Sequence, residues 1–212
     1  MNVVLLGAPA SGKGTQANLL SKKLKLFHFQ TGKLSRDLAK RDLRIRKIIN
    51  SGKLIPEEEM TMYALDHLNK VKPDFSNILF EGFPRFISQY KALENFLKLK
   101  GDDIDAVVSL DIDEMEAIKR LSSRRICEKC GEIYNLITDP PKKSGLCSCG
   151  GKLVQREDDK PKSIKVRFEY YEDNTKKLID YLQSNGKLIR INAARPIKVI
   201  FDDILKKLKE IK

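Results

Sequence analysis

The chain has 212 residues, 41% hydrophobic and 33% charged, enough apolar material to bury a full core and too much for a disordered or fibrous protein. Lysine and arginine outnumber the acids 41 to 29, so the surface attracts anions such as nucleotides, nucleic acid or acidic lipid. The opening MNVVLLG lacks the charged segment and apolar length of a signal peptide, and no stretch reaches the ~18 apolar residues of a membrane span; a cytoplasmic protein is expected.

Val3 to Leu6 is an all-apolar run ending at Gly7, the pattern of a strand buried on both faces in a parallel sheet. Similar runs at Phe27–Phe29, Ile78–Phe80, Ala106–Leu110 and Leu188–Ile191 give five candidate strands. Helical spacing lies between them: Leu19, Leu20 and Leu24 after the first run, and Met60, Tyr63 and Leu68 behind Pro56. Residues 164–182 place Ile164, Phe168, Tyr171, Leu178 and Leu182 near one face, and Ile197, Ile200, Phe201, Ile204, Leu205 and Leu208 form an apolar stripe opposite a lysine-rich, solvated face. Alternation of strand and helix predicts an α/β fold, a three-layer parallel five-stranded sheet with flanking helices. Residues 30–56 and 126–160 break this alternation and read as insertions, the first helical and polar, the second small and cysteine-rich.

Gly7-Ala8-Pro9-Ala10-Ser11-Gly12-Lys13 completes G-x-x-x-x-G-K between a strand and a helix, the context of a P-loop NTPase. Glycines let successive N–H groups point into one concavity, the helix adds its positive end, and Lys13 brings a cation to the phosphates. The residue after the lysine is Gly14, with the hydroxyl delayed to Thr15, so magnesium is held differently from a typical P-loop ATPase.

All four cysteines lie at Cys127-x-x-Cys130 and Cys147-x-Cys149. Four thiolates suit a structural zinc site, although the second pair is one residue tighter than the usual spacing. A metal-free insertion packed by its own side chains, or one whose cysteines oxidise reversibly, are the competing readings.

The string GAPASGKGTQA, with TGKLSR at 31–36, EGFPR at 81–85, QREDD at 155–159 and NAARP near the C-terminus, resembles the adenylate kinase family in its long-lid, cysteine-containing form. These blocks fall in the family's order and span nearly the whole chain. The resemblance implies a core of residues 1–29, 57–125 and 161–212, an AMP-binding insertion at 30–56 and a lid over ATP at 126–160. It also implies a transferase that moves the γ-phosphoryl group of ATP reversibly to AMP with Mg2+, giving two ADP. ATP, AMP and ADP are then the partners of a monomer that engages neither nucleic acid nor membrane, with structural Zn2+ in the lid.

By similarity Ala10, Ser11, Gly12, Lys13, Gly14 and Thr15 wrap the ATP phosphates, Arg120 and Arg124 reach ATP from the lid hinge, and Ile133, Tyr134 and Arg195 lie on the adenosine side. Thr31, Arg36, Lys53, Leu54, Ile55, Gly82, Phe83, Pro84, Arg85 and Gln89 fall at the AMP positions, with Arg156 and Arg167 closing over the transferring group. Lys13, Arg85, Arg124, Arg156 and Arg167 are thereby the catalytic set, and Cys127, Cys130, Cys147 and Cys149 the zinc ligands. Glu81 stands where the family commonly has aspartate, and reaches magnesium through bound water.

Bringing two polyanions together makes charge repulsion the dominant cost, so fixed cations are the natural catalysts, and an ionised phosphate acceptor needs no general base. His28 and His67 accordingly read as structural or surface residues. Arg36 and Arg85 can grip a phosphate in bidentate fashion, and the Gln89 amide offers a donor and an acceptor to adenine. Two alternatives remain: a UMP/CMP-type kinase sharing the loop and the GFPR block, and a zinc-ribbon ATPase acting on nucleic acid, which the scarcity of aromatics in the cysteine segment disfavours.

Overall fold

The computed structural model describes residues 1–211. Its central sheet is made of β1 (Val3–Gly7), β2 (Phe27–Gln30), β3 (Ile78–Glu81), β4 (Ala106–Asp111) and β8 (Ile189–Asn192), all parallel, in the order β2-β3-β1-β4-β8. These are the five strands the apolar runs predict. Strand pleating splits the runs of β1, β3 and β4 between two cores. Val4, Leu6, Phe29, Ile78, Phe80 and Val107 face α4 (Glu57–Val71), α5 (Ile87–Lys98) and α8 (Lys177–Ser184), whereas Val3, Leu5, Leu79, Val108, Leu110 and Ile191 face α1 (Lys13–Leu24) and α9 (Ile197–Lys209). Burial on both faces is why the inner strands β1, β3 and β4 are apolar nearly throughout, whereas the edge strands β2 (FHFQ) and β8 (IRIN) alternate apolar with polar.

The first insertion supplies α2 (Thr31–Ala39) and α3 (Leu43–Asn50), the latter capped by Asp42, whose carboxylate accepts from Arg44 and Ile45 N–H. Ala39, Ile45 and Ile55 make a small core of their own against Met60 and Tyr63. The second forms an antiparallel sheet, β6-β5-β7, from β5 (Arg124–Cys127), β6 (Ile133–Asn135) and β7 (Leu153–Val154). It begins at Arg124, two residues before the insertion boundary read from the sequence, so Arg124 belongs to the first strand of this small sheet. Its buried cluster is only Cys127, Cys147 and Leu153 with Tyr134 beside them, too little apolar surface to fold without a staple.

α6 (Glu114–Ser122) precedes this second insertion and α7 (Pro161–Tyr170) follows it. The apolar positions between 164 and 182 do not share one face. Ile164 and Phe168 pack on Ala117 and Leu121 of α6, while Leu178 and Leu182 enter the main core; a π-helical stretch at Tyr171–Lys176 provides the wider turns that rotate one stripe relative to the other.

Candidate active site

A cleft of about 850 Å3 opens at the C-terminal ends of the strands and is walled by the core and both insertions. Gly7 (φ 135°) must be glycine, since a Cβ there would lie 2.5 Å from the Leu110 carbonyl oxygen and 2.8 Å from Ser11 Oγ. Ala10 (φ 59°) and Gly12 (φ 93°) take left-handed conformations within the loop, turning N–H groups inward as an anion nest at the start of α1. Lys13 Nζ donates to the Gly7 and Ala8 carbonyls at 2.7 and 2.6 Å. Burial within the cleft lowers its pKa to about 7; Glu81 opposes the shift, while Arg85, Arg167 and Arg124 add to it. An approaching phosphate would supply the anion that Lys13 lacks.

Facing the loop, Arg85, Arg124, Arg156 and Arg167 converge from four segments. Burial, then repulsion from Arg167, lowers Arg85 to about 10, and burial with repulsion from Arg124 and Arg36 does the same for Arg156. Arg36 and Arg167 are lowered too, burial being the largest cause for each. Arg156 Nε is buried without a partner, an orphan donor of the kind a ligand oxygen satisfies. Two acidic residues that the sequence reading did not single out hold this array. Asp159, 0% exposed, accepts from Arg124 Nε at 2.7 Å and from Arg167 at 2.9 Å; Asp158 accepts from Arg167 at 2.9 Å. Their place beside Arg156 in QREDD was the available signal.

The other wall is built by Gly82–Arg85 and the first insertion. Gly82 (φ 80°) lies so close to Thr31 that a Cβ would come within 2.8 Å of its Oγ1. Arg85 Nε donates to the Gly82 carbonyl at 2.9 Å, fixing the guanidinium at the cleft wall. Gln89 is 2% exposed; its oxygen accepts from Arg85 N–H at 2.9 Å and its amide donates to the Glu57 carbonyl at 3.2 Å, which leaves one lone pair and one hydrogen for a ligand. Lys53, Leu54, Ile55, Pro84, Ile133, Tyr134, Arg120 and Arg195 also line the cleft. Phe83 does not: 1% exposed, its ring is part of the main core, where it anchors the loop instead of facing a ligand.

Glu81 sits at the base of the cleft, its Oε2 accepting from Gln30 Nε2 at 2.6 Å and from His28 Nε2 at 2.9 Å. Burial pushes its pKa up, but the His28 and Gln30 hydrogen bonds and the charge of Lys13 outweigh it, so the carboxyl lies below its usual range and is ionised at neutral pH. His28 is therefore tied to the site; only His67, its ring 6.0 Å from that of Phe29, fits the structural role expected of both. Glu81 Oε1 faces Gly14, 3.4 Å from where a Cβ would be, so a carboxylate oxygen lies in contact with the space that a P-loop serine or threonine side chain would enter. That placement suits a hydrated magnesium ion.

In the second insertion the four cysteine sulfurs lie within 4.8 Å of one another, with Cys127–Cys149 and Cys130–Cys147 both at 3.5 Å. A tetrahedron with Zn–S bonds of about 2.3 Å has edges of about 3.8 Å, so the cluster fits zinc. The tight C-x-C pair is accommodated by a reverse turn, Gly150 N–H to Cys147 O at 2.9 Å, with Gly150 at φ 79°. Gly151 closes the cluster: a Cβ there would meet Cys127 Sγ at 2.5 Å. Hydrogen bonds from the Cys130 and Lys129 backbone lower the Cys127 thiol to about 6, while at Cys130 the Glu132 backbone hydrogen bond is outweighed by the neighbouring Cys149 and Cys147 sulfurs, which push that thiol up to about 12. Without a metal the cluster therefore concentrates its negative charge on Cys127.

Residues 5–187 match the family described as Adenylate kinase. Among similar curated proteins are an adenylate kinase of Thermosipho africanus, 40% identical with 97% of this chain and 98% of the relative covered, and one of Methanothrix thermoacetophila, 39% identical with 99% of each covered. A third, from Caldicellulosiruptor bescii, is 39% identical over 98% of this chain and 99% of its own. Among the described residues no helix is long and apolar enough to cross a membrane.

Proposed function

Because the chain belongs to the adenylate kinase family, we propose that it transfers the γ-phosphoryl group of ATP to AMP, with the phosphate loop holding the donor and the Arg85 wall the acceptor. The observation that carries this reading is the single cleft in which an anion nest faces Arg85 and Gln89 across a cluster of buried arginines. Two nucleotides held there have their phosphates between the two walls, where Lys13, Arg124, Arg156 and Arg167 supply the charge that offsets repulsion as the phosphoryl group passes.

No residue needs to take a proton, because the attacking oxygen of AMP is ionised near neutral pH. Lys13 stays protonated against the phosphates. Asp158 and Asp159 orient Arg124 and Arg167 and keep their charges from repelling one another apart. Magnesium bound with ATP would supply further charge neutralisation, and Glu81, through the oxygen that faces Gly14, is the residue that would accept hydrogen bonds from its water. The lid shields the phosphates from water while nucleotides are bound, and zinc on Cys127, Cys130, Cys147 and Cys149 keeps that small unit folded. Gln89 reads adenine with its remaining donor and acceptor. A monomer working in the cytoplasm is sufficient for this mechanism, since every wall of the cleft comes from one chain.

A coupled assay of phosphoryl transfer from Mg-ATP to AMP, UMP, CMP and GMP tests the reading. Strong preference for AMP is expected; preference for a pyrimidine nucleotide would overturn the acceptor assignment and the role of Gln89.

A further inference from the structure

Resting on the reading of Glu81 as the carboxylate that faces the magnesium water shell, we propose that His28 and Gln30 are positioning residues that clamp Glu81 by one oxygen and leave its other oxygen aimed at that shell. The register of β2 on β3 sets this up. Gln30 pairs with Glu81, and His28, two residues earlier, points to the same face of the sheet, while Phe29 between them turns to the opposite face and packs on Phe80. Both polar side chains thus reach the carboxylate from the edge strand.

An ionised carboxylate only accepts hydrogen bonds, so the His28 ring must carry its proton on Nε2 and donate it, as the Gln30 amide does. Both donors fall on Oε2, at 2.9 and 2.6 Å. Among the described residues no donor is recorded on Oε1, which faces Gly14 and the phosphate loop. Glutamate has one more rotatable bond than the aspartate common at this position, and an untethered glutamate would spread over several rotamers. Two donors on one oxygen remove that freedom and fix which oxygen faces the loop. The clamp also explains how Gly14 can replace the hydroxyl usual after a P-loop lysine: the carboxylate oxygen occupies the neighbouring space.

If His28 merely filled the sheet edge, its loss would lower stability and leave metal use untouched. The test compares wild type with His28→Ala, His28→Gln, Gln30→Ala and Glu81→Gln. Two quantities are read: the Mg2+ concentration giving half of the full rate, and, with no AMP present, ATP affinity by calorimetry across a Mg2+ series and in chelator. Removing a group that orders a metal's surroundings weakens metal use by tenfold or more, so His28→Ala and Gln30→Ala should raise the Mg2+ midpoint about tenfold in both measurements, with ATP affinity in chelator unchanged. His28→Gln, which keeps a donor, should restore most of the loss.

Glu81→Gln separates the two layers of the argument. If it shifts the Mg2+ midpoint while His28→Ala and Gln30→Ala do not, the clamp is wrong and the reading of Glu81 stands. If Glu81→Gln leaves the midpoint in place, the magnesium role of Glu81 fails and the clamp falls with it. Thermal melts establish that each variant is folded; should His28→Ala not fold, Gln30→Ala removes the other donor from the same oxygen and decides the question alone.

Discussion

Gly52 lies where the first insertion meets the start of α7. Its φ is 84°, and a Cβ added there would lie 2.4 Å from the Ser163 carbonyl oxygen, beside the hydrogen bond from Ser163 Oγ to the Asn50 carbonyl at 2.9 Å. Gly52→Ala therefore carries two separable penalties. The left-handed backbone costs about 1–2 kcal/mol wherever the insertion sits, and appears as lost stability. The overlap with Ser163 costs about 1–3 kcal/mol, but only while the insertion is drawn against α7; swinging it away relieves the contact. Since Lys53, Leu54 and Ile55 adjoin this contact and line the cleft, the second penalty should fall on AMP. At 1.4 kcal/mol per factor of ten, AMP affinity should drop about 5- to 150-fold, with ATP affinity nearly constant. Calorimetric titration with each nucleotide, with a thermal melt alongside, reads both parts. A variant that melts earlier but binds AMP as wild type does would refute the idea that this close approach belongs to the AMP-bound arrangement.

Lys13, held near a pKa of about 7 in the free protein, should take up a proton when ATP binds, because the phosphates favour its charged form. In the window between about 7 and the raised pKa the complex holds a proton that the free protein lacks, so ATP affinity should fall as pH rises; titration at about pH 8 in two buffers of different ionisation enthalpy detects the uptake, and zero uptake would refute it. Asp159→Asn strips the carboxylate that holds Arg124 and Arg167, and breaking a buried ion pair from one side costs about 3–5 kcal/mol, visible as a lower denaturation midpoint together with a lower kcat. Gly151→Ala should push Cys127 off the metal cluster, so elemental analysis should find far less zinc than the about one ion per chain expected of wild type. Chelation should lower the melting temperature of wild type and change that of Gly151→Ala little.

The sequence by itself determined the sheet, the phosphate loop and the arginines. Short, largely apolar runs bounded by turns and alternating with helical spacing point to strands of a parallel sheet, and G-x-x-x-x-G-K after such a strand leaves few other structures open. Arg36, Arg85, Arg120, Arg124, Arg156, Arg167 and Arg195 all line the cleft. Tertiary structure decided what local pattern cannot encode. Register between β2 and β3 brought His28, outside every motif, against Glu81. A π-helical stretch divided one apparent apolar face between two cores, because a few residues of wider winding re-phase everything beyond them. The ring of Phe83 went into the core although its motif neighbours line the cleft, and Asp159 became the buried counter-charge of two arginines 35 and 8 residues away in the chain. Sequence spacing reports which residues share a helix or strand face; which faces meet, and which polar atoms are left needing a partner, is fixed only when the segments pack.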